Sequence, residues 1–581
     1  MARRFSLVVV LLALACGSPP PAKKLTTKAP PAPSAPTPDD RFTQAVDAFY
    51  GEYMDRYPTH GVELGLHQYD GKLPDVTAQG LAARVEWLKA ALSTFDAFDP
   101  GQLTELRAME REALLARIRG QLFDLDVRRR PFTDPMYYAD YLELTPYITR
   151  DYAPLADRAR AIIALCGAAQ GFLTAAEANL GEAMPRTWID TALMQVDGLI
   201  EFASEDVASA MTSLEDADLA AQVSEGLLAC SGALTGYKQF LTKRKPKATN
   251  DFALGEAQFL QMLAEKEGVS VELARLEQIG KDDLERNLGE LELAARKLHP
   301  RKSITAILAD VAKDKPETAK ILDEATAQVA AMRQLIVDKD LVSIPTDDVA
   351  EVRPSPPFMR WNFAFLSSPG NFETKPLPAF YYISPPDPKW PKKEQRDYVP
   401  SRYDLLFTTV HEVWPGHFLQ GLHERNSESR VLKSFCSYAM SEGWAHYAEQ
   451  MMLEEGAGGA DPRAHVGQLL NALLRNARFV AAIGMHTRGM KLEEAITLFQ
   501  KRGMQDKATS RQQAVRGTFD PGYLNYTLGK LMILKLRDDL KAKQGDAFKL
   551  KAFHDRFLSY GCAPIPSIRR AILGPDAGPP L

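Results

Sequence analysis

From about Arg41 to Met332 the chain keeps one pattern: apolar residues recur at three- and four-residue spacing, with charges between them. LAARVEWLKAALSTF, AMEREALLARIRGQLFDL and VELARLEQIGKDDLERNLGELELAARKL all carry it. An α-helix completes a turn every 3.6 residues, so this spacing gathers the apolar side chains into one stripe; a half-buried strand would need alternation instead. The pattern predicts packed amphipathic helices. Pro131, Pro135, Pro146, Pro185 and Pro300 separate one helix from the next. No fixed-period repeat accompanies the pattern, so a solenoid is not expected.

The character changes between Val342 and Pro400, which is dense in proline, glycine and aromatic residues. FMRWNFAFL and AFYYI are the best strand candidates. Ala379 to Ile383, with proline on both sides, is expected to be an edge strand that could hold an extended substrate by main-chain pairing. From Ser401 to Leu573 the helical spacing returns. The expected fold is therefore mainly α, a large multi-helix body with a small β element, forming a single domain over residues 41–581.

The N-terminus, MARRFSLVVVLLALACGSPPP, pairs two arginines with an apolar run from Phe5 to Ala15 that is too short to span a bilayer. The run ends at Cys16 and resembles a bacterial lipoprotein signal. Residues 1–16 then form the leader and Cys16 carries the lipid anchor, with an ordinary secretory signal cleaved nearby as the alternative. Either form is exported, lipid-anchored to the cell envelope or secreted into the periplasm. Gly17 in place of an aspartate favours the outer membrane, facing the periplasm or the exterior. Residues 17–40, rich in proline and alanine, read as a disordered tether. Cys166, Cys230, Cys436 and Cys562 are far apart without CxxC spacing and are expected to be buried thiols. A net charge of −5 and a pI near 6.1 give no footprint for nucleic acid.

Seven of the ten histidines lie between His411 and His554. HEVWPGH places His411 and His417 six residues apart, where the familiar zinc motif has four. Four helical residues turn through about 400° and six through about 600°, so an unbroken helix would point these imidazoles in different directions. Pro415 lacks an N–H and clashes with the carbonyl of His411, and Gly416 relaxes the backbone. An interrupted helix, with about two residues looped out, would return His417 to the metal side. In SYAMSEGWAHYAEQMMLEEG, Glu442, His446 and Glu449 share one helix face, and either Glu442 or His446 could be the third ligand.

The paired motifs HEVWPGHFLQ and SEGWAHYAEQ resemble those of the bacterial domain-of-unknown-function 885 family. The resemblance extends through YPTHGVELGLHQYDGKLPD, RNARFVAAIGMHTRGMKLEEAITLF, DPGYLNYTLGKLMILKLRDDL and FHDRFLSYGCAPIPSIRRAI, about residues 41–575. The family is similar to glutamate-ligated zinc metallopeptidases with large zincin-like helical bodies and a deep substrate channel. The resemblance implies one Zn2+ held by His411, His417 and Glu442, with Glu412 as general base and Glu449 orienting a ligand imidazole. It implies further that Tyr526 could hydrogen-bond an oxyanion, or serve as a core aromatic. Arg478 and His486 could bind a substrate carboxylate, Arg478 otherwise being a structural ion pair, and His554 is expected to be structural. One departure is visible: Phe418 stands where family members often carry another histidine. The expected function is an exported zinc metallopeptidase acting on short peptides. The alternatives are a zinc amidase or hydrolase of a non-peptide substrate, and a non-catalytic surface lipoprotein with a structural or vestigial metal site.

Overall fold

The apolar stripes of the first half become long helices packed on one another. Among them are α1 (Glu105–Leu122), α2 (Leu155–Asn179), α3 (Ala217–Arg244) and α4 (Leu273–Leu298). The computed structural model describes residues 35–356, 359–360 and 363–581, so the leader ending at Cys16 and most of the expected tether lie outside the described residues. Pro38–Leu581 forms one compact unit that is mainly α-helical. Helix α2 is long and apolar enough by composition to cross a membrane. Here its Ala159, Ile162, Leu165, Ala169 and Leu173 are buried, and Gly226 of α3 lies against Ile163 and Cys166.

Three short strands, β1 (Ala350–Pro354), β2 (Ala364–Ser367) and β3 (Ala379–Ile383), make a sheet in the order β1-β3-β2. β3 pairs parallel with β1 and antiparallel with β2. The expectation that Ala379–Ile383 is an edge strand is therefore corrected. It is central, and all five of its residues are buried. The continuous run AFYYI fits that place, because a strand covered on both faces needs no polar alternation. The edges belong to β1 and β2.

The second half supplies α5 (Arg402–Glu412), α6 (His417–Arg425), α7 (Tyr438–Glu454), α8 (Pro462–Thr487), α9 (Lys507–Phe519), α10 (Asn525–Gln544) and α11 (Leu550–Leu558). Helices α7 and α10 cross with their backbones in contact. A Cβ on Gly443 would press into Gly529, and one on Gly529 would strike the carbonyl of Ala439. Only glycine allows so close a crossing, and it brings Tyr526, one turn before Gly529, to the helix that carries Glu442.

The cysteine expectation holds for Cys166 and Cys230, which are buried and free. It is corrected for Cys436 and Cys562, which form a disulfide across 126 residues. The fold creates that pairing where the start of α7 meets the chain before its last helix, with Ser437 N–H donating to the Cys562 carbonyl at 2.9 Å. Sequence spacing carries no sign of it.

Candidate metal centre

Helix α5 begins at Ser401, whose hydroxyl accepts from Asp404 N–H at 3.1 Å. It runs regularly until Val413 N–H reaches Thr409 O at 2.9 Å. Pro415 then has no N–H to offer. The next bond comes from Gly416 N–H, which reaches Val410 O at 3.0 Å, and α6 starts at His417. Residues 413–416 are thus the unwound stretch. Gly416 lies so close to the preceding turn that a Cβ would collide with the His411 carbonyl. Trp444, from the second motif, donates its indole N–H to Pro415 O at 2.8 Å and fixes the break from outside. The two motifs are therefore one device: the glutamate of EGW faces the histidines, and its tryptophan holds the interruption that aligns them.

The break brings the imidazoles of His411 and His417 to 4.9 Å between ring centroids, at 89° to one another. Glu442 Oε2 lies 3.3 Å from His411 Nε2 and 3.4 Å from His417 Nε2. That oxygen is buried, and apart from the two imidazole nitrogens beside it no hydrogen-bond partner reaches it among the described residues. Two nitrogens and one oxygen at these separations surround a common point. Ligands at about 2.0–2.1 Å from a tetrahedral zinc stand roughly 3.3–3.4 Å apart. The donor set and spacing fit a zinc ion, and the orphaned carboxylate oxygen is what such an ion would satisfy. Burial alone would raise the Glu442 pKa, but His417 and His411 outweigh it and hold the carboxyl well below its usual range.

Glu449 lies directly behind His411. It is fully buried, and its Oε1 accepts from His411 Nδ1 at 2.7 Å. This bond sets Nδ1 as the protonated nitrogen and leaves Nε2 with its lone pair toward Glu442. Arg475 lies 3.2 Å from the same carboxylate, and His446 Nδ1 lies 3.3 Å from its other oxygen. Burial opposes the charged His411, yet the Glu442 and Glu449 carboxylates prevail and push it up to about 9. Burial opposes the Glu449 carboxylate as well, and Arg475 and His446 overcome that and lower its pKa. Deeper still, Lys530 Nζ is 4.0 Å from Asp283, which Asn476 also binds at 2.7 Å.

Of the two candidates for third ligand, Glu442 joins the histidines and His446 does not; it turns to Glu449, and burial with Lys530 nearby depresses it to about 3. Glu412 ends α5 with its Oε2 accepting from Leu366 N–H on β2 at 3.0 Å. Tyr526 stacks on His411, with ring centroids 6.2 Å apart and planes at 15°. Burial and the Glu442 charge raise its pKa, so the phenol keeps its proton. Arg478 places its guanidinium 4.7 Å from the Tyr526 ring and donates from Nε to Gln513 at 2.8 Å. Among the described residues no carboxylate lies within 4.0 Å of it, so the structural ion pair is not formed. His486 bonds the Gly517 carbonyl at 2.7 Å and packs against Phe252 and Phe259; no hydrogen bond, ion pair or ring contact joins it to the cluster among the described residues. His554 is structural, held by Tyr447 at 2.8 Å and the Leu341 carbonyl at 2.7 Å.

Sequence reasoning passed over Arg475, Lys530, Asp283 and Leu366. Arg475 had a signal, since it precedes Arg478 by three residues on one helix face. The others come from helices and a strand distant in sequence and had none.

Residues 58–572 match the family described as bacterial protein of unknown function, DUF885. The chain belongs to that family. This DUF885 chain shares its fold with a candidate lipoprotein of unknown function from Shewanella oneidensis, at TM-score 0.78 and 24% identity, covering 92% of this chain and 99% of that one. A candidate lipoprotein from Colwellia psychrerythraea aligns at TM-score 0.75 and 17% identity, covering 93% and 99%. No curated protein matches the DUF885 chain.

Proposed function

We propose that this DUF885 protein is an envelope-exported zinc hydrolase that cleaves peptide bonds, anchored through Cys16. One observation carries the reading: a buried carboxylate oxygen without a donor, Glu442 Oε2, flanked at 3.3 and 3.4 Å by two imidazole nitrogens. The lipoprotein descriptions of the two similar structures support the anchor.

His411, His417 and Glu442 would hold the ion, with Glu449 fixing the His411 tautomer. Zinc supplies Lewis acidity, lowering the pKa of a water it holds to about 7 and polarising a carbonyl. Glu412 would take the proton of the attacking water and deliver it to the leaving amine, with one of its oxygens held by Leu366 N–H. Tyr526, protonated and stacked on His411, can donate to the oxyanion. A non-peptide amide or ester would use the same groups; the β2 edge beside Glu412 favours an extended peptide.

The experiment compares zinc content and hydrolysis of a peptide library for wild type and Glu412→Gln. The variant is expected to keep its zinc and lose hydrolysis. Loss of zinc together with activity would refute the assigned role of Glu412.

A further inference from the structure

Two cavities are lined by residues that touch the metal-centre side chains, and the charges lining them differ in sign. The first, about 550 Å³, is reached by five cations: Arg117, Arg128, Arg130, Lys266 and Arg516. Three of these are neutralised within the protein. Arg130 pairs with Asp134 at 2.9 Å, Lys266 with Asp124 at 2.7 Å and Arg516 with Asp520 at 2.9 Å. Arg117 and Arg128 have no carboxylate within 4.0 Å among the described residues. Arg117 spends its Nε on the Tyr53 hydroxyl at 2.6 Å. Arg128 donates one terminal nitrogen to the Phe519 carbonyl at 2.6 Å, while its buried Nε has no partner among the described residues. The remaining acid of this cavity, Glu267, is turned to the Ser437 hydroxyl and the Ala439 N–H. The cavity thus holds an excess of positive charge that the protein does not balance.

Tyr438 and Arg516, which line this cavity, also reach Tyr526 beside the metal centre. The Tyr438 ring is 5.9 Å from the Tyr526 ring, and the Arg516 guanidinium is also 5.9 Å from it. Arg516 donates to the Tyr438 hydroxyl at 2.8 Å. Tyr438 precedes the ligand Glu442 by one turn of α7, roughly 6 Å along the axis. An extended chain covers that distance in about two residues.

The second cavity, about 420 Å³, runs along the β2 edge through Leu366 and Ser367. Leu366 is the residue whose N–H holds Glu412. This cavity presents three carboxylates, Glu63, Glu143 and Glu373; Glu373 is paired with the His67 imidazole at 3.1 Å, which leaves two against Arg150. A peptide lying across the metal centre would therefore meet acidic walls at one end and uncompensated arginines at the other.

We propose that the substrate is a short peptide with a free C-terminal carboxylate, which lodges in the arginine cavity at Arg128 while the N-terminal portion lies along β2. The orientation matches each end of a zwitterionic peptide with the opposite charge. It places the cleaved bond near the C-terminus, so a short C-terminal fragment leaves through the arginine cavity. The proposal rests on the metallopeptidase reading for the reaction, but not for the binding.

The two are separated by measuring binding without turnover. Trialanine as the free acid, as the C-terminal amide and as the N-acetyl acid is titrated calorimetrically into zinc-supplemented full-length Glu412→Gln protein. The free acid is expected to bind roughly tenfold or more tightly than the amide, the difference a charge-assisted contact supplies. That preference is expected to disappear in Arg128→Gln and to survive in Arg128→Lys. Equal affinity for acid and amide, or no binding of any of the three, overturns the proposal without needing a variant to fold. An acid preference that persists in Arg128→Gln overturns the assigned anchor. Zinc content and hydrolysis by the wild-type preparation report separately on the metal reading.

Discussion

Replacing Glu449 with glutamine tests whether the buried charge behind His411 shapes the metal site. The carboxylate is fully buried, accepts from His411 Nδ1 at 2.7 Å and lies 3.2 Å from Arg475 and 3.3 Å from His446. Glutamine keeps the outline and one carbonyl acceptor but removes the charge. Arg475, almost fully buried, would then lose its one ion-pair partner among the described residues and keep neutral ones such as Asn471. Stranding one half of a buried ion pair costs about 3–5 kcal/mol of folding stability. Removing the partner that orients a metal-binding histidine costs about 10–100-fold in metal affinity. Glu449 also has an opposing effect, because it helps hold His411 up to about 9, and a proton there competes with the metal. The comparison therefore belongs above pH 9, where His411 is neutral in both proteins. Competition against a zinc-chelating dye measures affinity there, and urea unfolding measures stability. A folded Glu449→Gln protein that binds zinc as tightly as wild type would refute the orienting role.

Gly416→Ala places a methyl against the His411 carbonyl; we expect the break to shift, zinc affinity to fall at least about tenfold, and far-ultraviolet circular dichroism to stay nearly unchanged. Unaltered zinc binding in that variant would show that the break tolerates a side chain. Burial lowers His486 and His554 to about 4 and His446 to about 3. The unfolded chain takes up these protons near pH 6.5 and the folded one does not. Stability is therefore full above that value and falls on acidification towards pH 4, by roughly 1.4 kcal/mol per pH unit for each histidine. Urea midpoints measured across this range should show a shallower fall for His554→Gln, and a parallel curve would contradict the assignment.

The helical body was legible because three- and four-residue spacing is a local property, and α1 to α4 repeat it over several turns. The interruption at Pro415-Gly416 was equally legible, since proline removes a donor wherever it stands. Helical spacing alone does not separate Glu442 from His446; the packing of α7 against α5 does, because it sets Glu442 and not His446 beside His411 and His417. The place of β3 in its sheet depends on which strands pair, and a five-residue apolar run does not encode its neighbours. The Cys436–Cys562 bond and the Lys530–Asp283 pair join segments more than a hundred residues apart, where no local pattern can specify the meeting. Arg478 was expected at a carboxylate or in an ion pair; the structure places it against Tyr526 with no acidic partner among the described residues.

X-ray absorption at the zinc edge, on protein purified without chelator, tests the metal centre most directly. One zinc per chain is expected, bound only by nitrogen and oxygen at about 2.0–2.2 Å, and lost in Glu442→Ala. Absence of zinc, a sulfur ligand near 2.3 Å, or full occupancy in Glu442→Ala would contradict it.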